Sequence, residues 1–96
     1  DETSGAGGGA VLSPVIPIVH LNGSGREALI NLRLDYYRKL GEAREALAEM
    51  APHGRDYYPI PGLYELAREQ HDRRMAAINT LHEDIEAEIL AIQDLP

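Results

Sequence analysis

From residue 25 onward the chain repeats apolar side chains at intervals of three and four, the spacing that puts them on one side of an α-helix. The first such run holds Leu29, Leu32, Tyr36, Leu40, Ala43, Leu47 and Met50, with Ile30, Leu34 and Tyr37 widening the stripe near its start. The second holds Tyr64, Ala67, His71, Met75, Ile78, Leu81, Ile85, Ile89 and Ile92. Between them, residues 51–62 contain Pro52, Pro59 and Pro61 together with Gly54 and Gly62, which breaks the helical pattern. The spacing predicts helices over about 25–50 and 62–93, paired through their two stripes.

The N-terminal quarter reads differently. Residues 1–10 are Gly-rich and low in complexity, and they open on Asp1 rather than Met, which implies processing or trimming. Val11 to Leu21 is rich in β-branched residues but interrupted by Pro14 and Pro17, so it is neither a helix nor an inner strand. An extended segment of that length reaches about 35 Å. Its apolar side chains, half buried, offset less than ordering its backbone costs. An arm of this kind needs a receiving surface. The predicted fold is therefore all-α: an antiparallel two-helix hairpin (22–96) carrying an extended N-terminal arm (1–21).

Local signals refine the boundaries. Ser24 followed by Glu27 matches a capping box, placing a helix start there. Gly54 suits a left-handed turn after Pro52, and Pro61 suits the first position of the second helix. Gly41 is the weak residue inside the first helix and marks a close approach.

Composition narrows the function. There is no Cys, which removes disulfides, thiolate catalysis and Cys-type zinc sites. No apolar run approaches the roughly 18 residues needed to cross a bilayer. The net charge is −7, and from Leu63 onward eight acidic groups face three basic ones. That half repels nucleic acid and anionic membranes and attracts basic protein surfaces. An anti-host protein that neutralises a basic enzyme surface would rest on this imbalance alone.

A search for catalytic chemistry finds little. His71 and His82 sit about 16 Å apart on one helix, too far to share a metal, and read as seam or boundary histidines. Glu83, Asp84, Glu86 and Glu88 follow the spacing of a solvated helix face, with docking of a basic partner as the sharper alternative. The run Gly5 to Gly9 lacks the Lys-Ser/Thr ending of a phosphate loop. No catalytic, metal-ligating or cofactor-binding residue is expected, and the chain does not read as an enzyme.

Two segments carry the expected binding chemistry. One is the arm, through Val11, Leu12, Val15, Ile16, Ile18 and Val19. The other is the loop, where Arg55 and Asp56 stand beside Tyr57 and Tyr58, a composition favoured at interfaces. For the loop an equally weighted reading is structural: Tyr57, Tyr58 and Tyr64 plug the end of the hairpin while Arg55 caps the first helix.

The run His20-Leu21-Asn22-Gly23, a Glu/Ala/Leu/Arg-rich helix, and then Ala51-Pro52-His53-Gly54-Arg55-Asp56-Tyr57-Tyr58-Pro59 is similar to small proteins encoded in tailed-bacteriophage genomes. The resemblance covers roughly residues 18–93, with the loop block as its specific part. It implies a phage context and carries no functional residues across. The expectation is a virion structural or accessory protein, assembled in the host cytoplasm, that docks by its arm on capsid, neck or tail subunits. The alternative is a soluble helical adaptor or regulator that self-associates as a four-helix bundle.

Overall fold

The computed structural model describes residues 14–20, 23 and 25–96. Val11, Leu12 and the Gly-rich lead lie outside the described residues, as do Leu21, Asn22 and Ser24. Helix α1 spans Arg26–Ala48 and helix α2 spans Leu63–Gln93, with a short 3-10 turn at Gly54–Asp56 between them. The fold is the all-helical hairpin that the periodicity predicts, with an extended segment before α1.

The helices run antiparallel. Arg26 reaches Leu95 and Arg33 meets Glu88, so a step forward of seven on α1 matches a step back of seven on α2. Farther along, Arg44 Nε donates to Asn79 Oδ1 at 2.7 Å. In this register α1 ends about a third of the way along α2. The first ten or so residues of α2 therefore project beyond α1, and the connecting loop lies at that end.

The boundaries differ in detail from the sequence expectation. Gly25 is the N-cap of α1 and gives no side-chain cap, its carbonyl instead accepting from the Leu29 amide at 3.0 Å. The left-handed glycine is Gly62, with φ of 84°, rather than Gly54, which opens the 3-10 turn. Gly62 is thus the N-cap of α2, and Pro61 stands just before the helix rather than in its first turn. Met50 falls in the turn that follows α1.

Among the described residues only Ile89 and Ile92 are buried hydrophobics, and Ile92 is wholly inaccessible. Both sit near the C-terminal end of α2, opposite the start of α1. This is the thick end of the molecule: Ala87 and Ala91 are partly covered, whereas Ala76 and Ala77 are exposed. Two helices in contact along one line leave their flanks open, so so small a core is what the geometry allows.

The packed face of α1 coincides only in part with the one its apolar spacing predicts. The contacts to α2 run through Arg26, Arg33, Tyr37 and Arg44. Of the predicted stripe, Leu29, Leu40 and Leu47 are half-buried, while Leu32, Tyr36, Ala43 and Met50 are exposed. The physical reason lies in the long stems of Arg26, Arg33 and Arg44. Each is long enough to deliver its guanidinium to an oxygen on α2 or just beyond its end, Arg26 and Arg33 from half-buried positions and Arg44 from an exposed one. Polar residues thereby occupy the seam, and α1 is turned so that one flank of its apolar stripe faces outward.

Candidate docking surfaces

Three surfaces stand out, and each follows from a local feature of the chain. The first is the arm. Pro14, Ile16 and Pro17 are partly buried, whereas Val15 is 87% and Ile18 79% exposed, with Val19 and His20 also outward. Two prolines hold the segment out of helical conformation, with Ile16 and Pro17 partly covered and Ile18, Val19 and His20 turned to solvent. The six residues expected to bind a partner therefore divide: Val15, Ile18 and Val19 face out, Ile16 faces in, and Val11 and Leu12 lie outside the described residues.

The second surface is the loop, where the structure separates the two readings residue by residue. Tyr57 is half-buried and its ring lies 6.5 Å from that of Tyr64, which in turn carries the Arg68 guanidinium 5.9 Å above it. These aromatics close the projecting end of α2. Tyr58 points away and is 79% exposed, and Arg55 and Asp56 are exposed as well. Arg55 makes no hydrogen bond or ion pair among the described residues, so it does not cap α1. Ile60 in the loop and Leu66 in the first turn of α2 are exposed as well.

The third surface is the open flank of the hairpin, which sequence reasoning assigned to the interior. Tyr37, Gly41, Arg44, Asn79 and His82 line a polar groove on one side of the helix pair. Tyr36, Ala43 and Leu81 each precede a groove residue, and one residue is a rotation of about 100°. They consequently lie toward the opposite side, where Leu32 is 69% and Leu81 44% exposed. The missed signal was Arg26, Arg33 and Arg44, which with Tyr37 share a spacing of seven, four and seven, a helical face in itself.

The polar groove is closed by one aromatic pair. The rings of Tyr37 and His82 are stacked at 4.6 Å, and His82 Nε2–H donates to the Tyr37 carbonyl at 3.1 Å. The reading of His82 as a seam histidine agrees with this placement. Glu83 and Glu86 are exposed, but Glu88 is drawn into the seam by Arg33, so the carboxylate run is only in part a solvated face.

Arg26 has a further role. It donates from Nη2 to the carbonyls of Leu95 and Pro96, at 2.5 and 2.8 Å. This places a cation at the negative end of the α2 dipole, whose last turn contains no basic residue of its own. Its Nε is buried without a hydrogen-bond partner among the described residues.

On the exposed back of α1, Lys39 and Arg38 flank Asp35 at 3.0 and 3.1 Å. The hydrogen bond and charge of Lys39 hold the Asp35 carboxyl below the usual carboxylate range. No group of three potential metal ligands is gathered among the described residues. No helix among them is long and apolar enough to cross a membrane. No protein-family model, curated protein or solved structure matches the chain.

Proposed function

We propose that this chain is a protein-docking helical hairpin and serves as a structural or accessory component of a phage particle, held on capsid, neck or tail subunits through its N-terminal arm. The observation that carries the docking reading is the arm itself. Val15 and Ile18 are held outward on a proline-stiffened segment that forms no secondary structure, with Ile16 turned the other way. A side chain ordered on the outside is available to a neighbour, and a stiff segment loses little entropy when it docks. The phage context comes from the similarity of the loop block from Ala51 to Pro59, and Tyr58 with Arg55 gives that block a second point of contact.

The test uses the full chain and particles lacking it. Removal of residues 1–21 is expected to abolish attachment while leaving helical circular dichroism intact, because the interhelix contacts lie between residues 26 and 96. Retained binding by the truncated chain would sink arm-mediated docking. A Val15→Asp/Ile18→Asp variant should behave like the truncation. A second reading, the self-associating adaptor, draws on a different observation, the open flank of α1.

A further inference from the structure

The open flank is arranged to meet itself. Taken about the midpoint between Lys39 and Leu40, the outer stripe of α1, part exposed and part half-buried, pairs Tyr36 with Ala43, Leu32 with Leu47 and Leu29 with Met50 when a second α1 is laid on it antiparallel. A large ring then falls opposite a small side chain, and the two further pairs match aliphatic with aliphatic. On α2 the same height is occupied by Leu81, since the register sets Leu40 opposite Leu81. Arg74 and Glu88 stand seven residues to either side of Leu81, on its face of the helix. An antiparallel copy would therefore bring Arg74 to Glu88 twice, once at each end.

We propose that this face receives a second copy of the chain, stacked antiparallel about a two-fold axis near Leu40 and Leu81, to form a four-helix bundle. The inference does not rest on the arm or on particle attachment; it gives the self-association reading its surface. Charge supports it: Arg74 makes no ion pair among the described residues, and Glu88 is fixed in place by Arg33. Lys39, beside the axis, is already neutralised by Asp35, so two bare ammonium groups do not confront each other there. Size supports it too. Two paired helices about 35 Å long and 20 Å across cover about 600–700 Å² on each copy. The total of about 1,300 Å² is within the range of stable specific interfaces. Such a contact encloses Leu32, Tyr36 and Leu81, which a lone hairpin leaves in water.

The chain has no cysteine of its own, so engineered thiols report cleanly. Sedimentation of the full-length chain should give twice the chain mass. Leu81→Cys should form a self-disulfide within that dimer, because a two-fold axis brings equivalent residues together. Glu42→Cys, on the outer face of α1, should not. Leu81→Asp should weaken the dimer at least about 30-fold, as a central truncation with a buried charge does, with helicity retained. Arg74→Glu should weaken it as well. A monomer at 100 μM would overturn the proposal, as would equal cross-linking at Glu42→Cys and Leu81→Cys. If the chain is monomeric and Leu81→Asp instead loses particle binding, the face belongs to a different protein and the proposal fails. Removing residues 1–21 should leave the dimer intact, so failure of arm docking and failure of dimerisation are read separately.

Discussion

His82 lies flat against Tyr37, rings stacked 4.6 Å apart, while its Nε2–H donates to the carbonyl of that same tyrosine. One side chain of α2 thus engages both the side chain and the backbone of a single α1 residue, fixing the rotation of each helix at mid-length. The stack and the hydrogen bond each contribute about 0.5–1.5 kcal/mol. His82→Ala should lower stability by about 1–3 kcal/mol in urea melts. His82→Phe should recover the stacking share alone, and equal losses for both variants would show that the ring contact is idle.

Gly41 sits one turn beyond Tyr37 and below the same imidazole. A Cβ built there comes within 3.8 Å of the His82 ring, ordinary van der Waals contact. The glycine is therefore not demanded by sterics, and its helical backbone costs about 1 kcal/mol relative to alanine. Gly41→Ala is expected to stabilise the hairpin by about 0.5–1 kcal/mol in thermal or urea unfolding. A loss of stability would mean that the groove needs room the static geometry does not display.

Arg33 and Glu88 form the central charged contact of the seam, with about a fifth to a quarter of each side chain exposed. Partial burial raises the cost of leaving either charge alone. Glu88→Gln or Arg33→Met should each cost about 1–2 kcal/mol, discounting for solvent that still reaches the pair. The double replacement Arg33→Leu/Glu88→Leu should cost less than the sum and approach wild-type stability, because two aliphatic side chains suit that position on paired helices. Additive losses in the double-mutant cycle would show that the pair does not act as a unit. At Asp35 the contribution depends on pH. Its carboxyl titrates below its ordinary value of 3.8, so its small contribution is complete above that pH and fades as acid protonates the folded form.

Element type and order were legible in the sequence because they depend on period and on proline. Two runs at three- and four-residue spacing and three prolines between them leave one all-helical arrangement. What spacing alone does not settle is which of two overlapping faces packs. Leu32, Tyr36 and Ala43 form a better apolar row than Arg33, Tyr37 and Arg44, and hydrophobicity favours the former. The latter wins in the hairpin because guanidinium groups reach Glu88, Asn79 and the carbonyls at the end of α2, contacts whose existence depends on the register. The loop was half legible for a related reason. Paired tyrosines announce amphipathic contact, but only the 3-10 turn at Gly54–Asp56 decides that Tyr57 goes in and Tyr58 out.

Ile92 and Leu32 give the sharpest contrast that the altered seam implies. Ile92 is completely buried and Leu32 is 69% exposed, although the apolar spacing of the sequence places both in the core. Truncating a buried isoleucine removes its transfer energy and leaves a void, a loss of about 2–5 kcal/mol. In a molecule whose described core is two isoleucines, Ile92→Ala should therefore unfold much of the population of a dilute sample at room temperature. Leu32→Ala should leave the unfolding of a dilute sample almost unchanged, within about 0.5 kcal/mol, as surface substitutions do. Its effect should grow as concentration rises, because the side chain is covered only when two copies meet. Urea unfolding at 1 and 100 μM separates these cases. Concentration-independent destabilisation by Leu32→Ala would place that leucine inside the single chain, against the exposure seen here.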